Sequence, residues 1–189
     1  LPATVTVKSL VGGGTAYTSG TISTTGGNID LSAATVSSSV IKATGDVNLS
    51  GATSIDDTAI TAGGNISAAQ VTLAGTGPLV GVSMNAGSGG SITLSAATAI
   101  ASATLNAPNG TVNLPKLQDQ TVRLDIEAAG AMDLTSMVSN TGAMTLSASI
   151  TSLGLPVMTN NTGSIVGSGV ATVNAPALSL TATNSINTA

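Results

Sequence analysis

The chain contains no cysteine, histidine, tryptophan or phenylalanine, and Tyr17 is its single aromatic residue. Without thiols there is neither a disulfide framework nor a thiolate metal site. Without imidazole the usual general base and the commonest metal ligand are missing. Charge is scarce as well: four Lys and Arg stand against eight Asp and Glu in 189 residues, for a net charge of −4. An ordinary soluble domain is about a quarter charged. Four cations cannot build the basic stripe that nucleic acid or an anionic membrane demands, so no nucleic-acid partner is expected. No apolar run reaches the roughly 18 residues of a membrane-spanning helix. Leu1-Pro2-Ala3-Thr4-Val5 lacks the charged and apolar regions of a signal peptide, so the chain reads as a mature protein or as a piece of a longer one.

What remains is Gly, Ser, Thr, Asn and Ala, with an apolar fraction of 42% carried by Ala, Val, Ile and Leu. These residues fall into a repeat. Gly-x-(Ile/Val/Met)-x-Leu occurs at Gly27–Leu31, Gly45–Leu49, Gly90–Leu94, Gly110–Leu114, Gly130–Leu134 and Gly142–Leu146, with truncated copies at Gly64-Asn65-Ile66 and Gly163-Ser164-Ile165. A strand-like unit returning about every twenty residues marks a solenoid, whose repeats bury their apolar faces only by stacking.

One unit shows the grammar. In Ile29-Asp30-Leu31 two apolar residues flank a polar one, the periodicity of a strand with one buried face. Val36 lies five residues beyond Leu31, so both can point inward only if the chain turns a corner in Ser32-Ala33-Ala34. A third run, Val40-Ile41-Lys42-Ala43, leads to the next glycine. It recurs as Ile60-Thr61-Ala62, Met84-Asn85-Ala86, Leu105-Asn106-Ala107 and Ile126-Glu127-Ala128. The expected fold is a single all-β, parallel β-helix over residues 1–189, with three short strands per coil of about 20 residues. Ile29, Leu31, Val47, Leu49, Ile92, Leu94, Val112 and Leu114 are expected inside, and the glycines are expected at corners needing positive φ. Thr and Asn are expected to form outer ladders, where a column of like charge would repel.

Three places interrupt the pattern. Gly75–Gly81 with Gly87–Gly90 reads as an added loop, as does Gly154 to Gly163, and insertions in solenoids map to surface corners. The third is a concentration of charge: Lys116, Asp119, Arg123, Asp125 and Glu127 fall within twelve residues. As a solvated face its ion pairs would contribute little. As a ligand-contact patch it could orient a sugar or a carboxylate.

Enzymatic chemistry has little to work with. Glycoside hydrolysis needs two carboxylates across a cleft, and the adjacent Asp56 and Asp57 read instead as a polar corner. Asp30, Asp46 and Asp133 supply one carboxylate per coil, and the calcium repeat Gly-Gly-x-Gly-x-Asp is absent. No metal or cofactor is expected. The enzyme alternative is a polysaccharide-active β-helix using Asp119, Arg123 and Asp125. Four N-glycosylation patterns, at Asn48, Asn65, Asn109 and Asn160, are about what chance gives thirteen asparagines in so Ser- and Thr-rich a chain.

The units Gly-Asn-Ile-Asp-Leu-Ser-Ala-Ala-Thr-Val (27–36), Ala-Thr-Gly-Asp-Val-Asn-Leu (43–49) and Ala-Gly-Gly-Asn-Ile-Ser-Ala-Ala (62–69) resemble filamentous haemagglutinin repeats over roughly residues 20–150. That family comprises large bacterial exoproteins exported by two-partner secretion, including adhesins. The resemblance implies a right-handed parallel β-helix, an outer-membrane secretion partner, a secreted or cell-surface location, and a fibre role in attachment or biofilm contact. A host-cell or biofilm glycan is the implied ligand. The family's secretion domain carries an Asn-Pro-Asn-Gly-type motif. Asn106-Ala107-Pro108-Asn109-Gly110 departs from it by an inserted alanine, so the chain resembles the shaft. Both ends keep strand alternation, at Leu1–Val7 and Leu178–Ala182, and are expected to continue into further chain or to stack on other copies.

Overall fold

The computed structural model describes residues 4–7, 10–12, 16–32, 35–49, 51–68, 72–74, 81–87, 89–147, 150–155, 160–161, 163–167, 173–174 and 186–187. The expected loop at 75–80 and most of the one at 156–162 lie outside these residues, as does Leu178–Ala182. All regular structure among the described residues is β-strand, and every strand pairing is parallel. The chain is a β-solenoid.

Its first face is a six-stranded sheet of Leu10–Gly12, Ile29–Leu31, Val47–Leu49, Ile66–Ala68, Ile92–Leu94 and Val112–Asn113. A separate three-stranded sheet of Gly130–Asp133, Ile150–Gly154 and Val173–Asn174 follows it in the chain. The second and third faces belong to one 16-stranded sheet. On the second face Ala16–Thr18, Thr35–Ser37, Ser54–Asp56 and Thr72–Ala74 stack in order. The third begins with Thr4–Val7, Thr21–Thr24, Val40–Ala43, Ala59–Ala62 and Val82–Ala86.

The expected alternation holds. Ile29, Leu31, Val47, Leu49, Ile92, Leu94, Val112 and Leu114 are all buried. They stack on their counterparts, with Ile29 beside Val47, Val47 beside Ile66 and Ile66 beside Ile92. Each such column shields its members from water above and below, and burying one Val, Ile or Leu contributes about 1.5–3 kcal/mol. On the third face Ile41, Ile60, Met84, Leu105 and Ile126 form a second column, while Lys42 points outward.

Between the first and second faces the corner is a tight turn. The Ala97 N–H donates to the Leu94 carbonyl, and Leu117 to Leu114 and Met137 to Leu134 repeat the contact at 3.0–3.3 Å. Both ends of each turn are buried, so a four-residue turn lets the chain change face without leaving the core. Between the second and third faces the corner residues are Ser19, Ser38 and Asp57, with φ of 56°, 47° and 43°. Asp56-Asp57 is therefore a corner, as expected.

The repeat glycines do something different from what the sequence suggested. Only Gly89 and Gly130 have positive φ among the described glycines, so the left-handed corners rest on Ser and Asp. Gly45, Gly64, Gly90 and Gly110 are needed instead for closeness of approach. A methyl at Gly90 would overlap the Gly64 carbonyl oxygen, and one at Gly110 would overlap that of Gly90. Beside this glycine column runs a ladder made by the x residue of the repeat. Asn28 Oδ1 accepts the Asp46 backbone N–H at 2.9 Å, and Asp46 Oδ1 accepts that of Asn65 at 2.7 Å. Asn65 Oδ1 then accepts the Ser91 N–H at 2.9 Å, and Ser91 Oγ that of Thr111 at 3.1 Å. Each coil thus supplies the acceptor for a corner donor of the next.

The order changes after Thr111. The next x residue, Ala131, has no acceptor in its side chain, and here the first face breaks into its two sheets. In two coils the second and third strands fuse, into Ala99–Ala107 and Asp119–Ala128, a local departure from three short strands per coil. The register between them slips: Ile100 faces Gln120, but Ser102 faces Arg123. The extra residue is a bulge, which bends the strand around the corner and leaves Val122 61% exposed between buried Gln120 and Leu124. In the second-face column Val36, Ile55, Leu73 and Ile100 give way to Gln120 and Asn140, both fully buried. Among the described residues neither amide atom of Gln120 has a hydrogen-bond partner. Moreover, Gly142–Leu146 and Gly163-Ser164-Ile165, which match the glycine repeat, lie on the third face, where Met144 stacks between Leu124 and Ile165.

The glycine column makes a direct prediction for urea unfolding. Gly90→Ala lowers stability by about 1–3 kcal/mol through overpacking. Gly26→Ala, whose added methyl meets nothing within 4 Å, changes it by less than about 0.5 kcal/mol. Equal effects at the two positions would contradict the close-approach account.

Candidate functional site

The bulged strand Asp119–Ala128 carries most of the charge cluster, and the fold divides it. Lys116 is exposed on the Leu114–Leu117 turn at the first corner. Asp119 is exposed on the second face, beside Ala99 and Ser139. Arg123, Asp125 and Glu127 take alternate outward positions on the third face. Arg123 Nη2 and Asp125 Oδ2 form an ion pair at 2.5 Å. The ligand patch expected from all five residues is therefore reduced to Arg123, Asp125 and Glu127, because the corner at Val122 turns Asp119 and Lys116 away.

Those three residues border a groove that the sequence did not single out. Along the third face the outward row reads Val40, Ala59, Ser83, Thr104, Asp125 and Thr145. Three shallow cavities lie on it. The first, about 500 Å³, is lined by Ser39, Val40, Thr58, Ala59 and Gly81 among others. The second, about 250 Å³, shares Gly81 and Ser83 with it and adds Ser102, Thr104 and Arg123. The third, about 270 Å³, shares Thr104 and adds Asn106, Asp125, Glu127, Thr145 and Ser147. Shared lining residues make them one groove along the coil axis. Its signal in the sequence is the polar residue of the third run, Asn85, Asn106 and Glu127, which repeats once per coil.

On this face a short side-chain ladder runs from Ser83 through Asn85 to Asn106. Asn106 Nδ2 donates to Asn85 Oδ1 at 3.1 Å, and Asn85 Nδ2 to Ser83 Oγ at 3.4 Å. Glu127 follows Asn106 in register, and a carboxylate offers no donor to continue the ladder. Asp125 and Glu127 stand side by side on one strand. That arrangement does not place two carboxylates on opposite sides of a sugar linkage. The residues of the polysaccharide-cleaving alternative, Asp119, Arg123 and Asp125, span two faces.

The aspartates once considered for metal are likewise separated. Asp46 is committed to the corner ladder, and Asp30 lies outward on the first face beside Asn48. Asp133 accepts the Thr135 backbone N–H at 2.9 Å, and bonds from the Thr135 side chain and backbone hold its carboxyl below the usual range. No group of three or more potential metal-ligating side chains converges among the described residues. Partial burial against the core raises the pKa of the Tyr17 phenol.

The fold and these surfaces define a polar, sparsely charged parallel β-solenoid. Comparison of the chain with family models, with curated proteins and with solved structures finds no match.

The exposed ion pair gives the site its simplest test. Arg123→Ala costs less than about 1 kcal/mol in thermal or urea unfolding, because the guanidinium is 60% exposed. A loss of several kcal/mol would mean that the bulged strand depends on this pair for its shape.

Proposed function

We propose that the chain is a structural shaft or adhesin segment of an extracellular bacterial fibre, and not an enzyme. The observation carrying this reading is where its polar side chains are used. Asn28, Asp46, Asn65 and Ser91 hold coil to coil through backbone N–H groups. Asn85 and Asn106 hold each other. A surface organised in this way supports length and stiffness, with little reactive functionality left over. The resemblance to filamentous haemagglutinin repeats adds export through an outer-membrane partner, location at the cell surface, and attachment or biofilm contact as the task. In this reading the body continues into further fibre or joins other copies.

A second reading rests on the third-face groove: a polysaccharide-binding solenoid, with the chain of sugars lying along the axis. The strand spacing of about 4.8 Å presents one outward side chain of this row per coil, a hydroxyl at Ser83, Thr104 and Thr145, and that repeat suits a linear polymer. Cleavage is the weaker part of that alternative, since Asp119 lies around the corner from Asp125.

A glycan array combined with a reducing-sugar assay separates the readings. The shaft or adhesin reading predicts no turnover on any polysaccharide, with or without retention on a glycan. Turnover that disappears in Asp125→Ala would refute it.

A further inference from the structure

Asn109-Gly110 is the only asparagine–glycine pair in the chain. It occupies the turn Ala107–Gly110, closed by the Gly110 N–H donating to the Ala107 carbonyl at 3.0 Å. Pro108 supplies the preset φ of the second turn position, and Gly110 is the customary fourth residue. The Asn109 side chain is exposed and makes no hydrogen bond to the described residues. Its neighbours in the sequence are placed otherwise. Asn28 and Asn65 carry the corner ladder, and Asn48, Asn85, Asn106 and Asn113 bond across or along the sheets. Asn140 is buried. In each of these the following residue has a side chain that obstructs its own backbone nitrogen, which glycine does not.

We propose that Asn109 is a site of spontaneous intramolecular deamidation, and that its conversion loosens the coil junction beneath it. The Gly110 backbone nitrogen attacks Asn109 Cγ. A new N–Cγ bond forms, the Cγ–Nδ2 bond breaks, and ammonia departs carrying the Gly110 amide proton, leaving a five-membered succinimide. Water then opens the ring. Addition at Cγ gives aspartate, and addition at the Asn109 backbone carbonyl gives isoaspartate, whose main chain runs through the side chain. The net change is water in and ammonia out, with no oxidant or catalyst needed. The turn bond from Gly110 to Ala107 must open first, so the reaction is slower in the folded coil than in the unfolded chain.

The position gives the reaction a structural consequence. Gly110 sits against Gly90 so closely that even one methyl would collide with the Gly90 carbonyl. Its own carbonyl accepts the Ala129 N–H at 2.8 Å. That bond helps tie the next coil on just where the corner ladder ends and the first face splits into two sheets. Isoaspartate inserts one more carbon into the main chain immediately before Gly110 and adds a negative charge to a chain already at −4. Gly110 then cannot keep both its seat against Gly90 and its bond to Ala129.

The test is to age the full chain in neutral and mildly alkaline buffer, folded and in denaturant. Conversion is located by peptide mass spectrometry and isoaspartyl methyltransferase labelling, and exchange of the Ala129 amide is followed in parallel. Expected are conversion at Asn109 ahead of every other described asparagine, mostly to isoaspartate, faster at the higher pH and faster unfolded. The Ala129 amide then exchanges faster in aged protein but not in aged Asn109→Gln, which lacks the five-membered path. An intact Asn109 amide after other asparagines have converted would overturn the assignment. A sugar on Asn109 Nδ2 would do the same, since Asn109-Gly110-Thr111 would then be a glycan acceptor. Conversion with unchanged Ala129 exchange would overturn the structural consequence.

Discussion

Each coil of this solenoid must satisfy the backbone of the coil beside it at the spacing of neighbouring strands, about 4.8 Å. Along the flat faces, ordinary parallel pairing does so. At the corner before the first face, pairing alone is not enough, and the chain adds two devices: glycine, which lets one main chain press on another, and a short polar side chain that accepts the next coil's N–H. Both depend on side chains that are small and uncharged, or charged only singly. The composition follows from this constraint. Aliphatic side chains fill the inner columns, and stacked charges of one sign would repel at every step. The near absence of charge is the consequence of stacking, and with it goes most of the chemistry an enzyme would use.

The same constraint locates the weakest junction. From Asn28 to Thr111 every corner is clamped by the preceding one, and at Ala131 the clamp is missing. On the same stretch the first-face sheet ends, a bulge shifts register between Ile100 and Ser102, and Gln120 brings unpartnered polar atoms into the core. A buried amide without a partner costs about 1–3 kcal/mol. With the bulge counted at Val122 on its own strand, four separate departures thus fall between Val112 and Ala131. This stretch is where local opening of the solenoid would begin, at the exposed bulge residue Val122.

Much of the fold was legible because strand period and coil period are both carried by the same residues. Ile29, Leu31, Val47 and Leu49 alternate with polar neighbours and also recur after about twenty positions, so facing and stacking could be read together. Other features share one residue type across two physical causes. Glycine serves both positive φ and close approach, and only coordinates show that Gly90 and Gly110 do the second while Ser38 and Asp57 take the left-handed corners. Gly142-Ala143-Met144-Thr145-Leu146 has the repeat's spelling but the third face's position, because the pattern encodes an inward–outward alternation that any face can use. Gln120 was invisible as a core residue, since its polarity argued for the surface. The charge cluster was real as a run in the sequence, but a bulge at Val122 decided which of its members share a face.

The claim at the centre of this account is that stacking is held by the corner ladder and weakens where the ladder stops. Residue-resolved amide hydrogen exchange of the native chain measures it directly. The account predicts a protected block whose corner amides Asp46, Asn65, Ser91 and Thr111 exchange together and slowly. It also predicts faster exchange for Ala131 and for the amides of the bulge around Val122. Uniform protection through residues 112–131, or corner amides that exchange as freely as exposed loops, would contradict it.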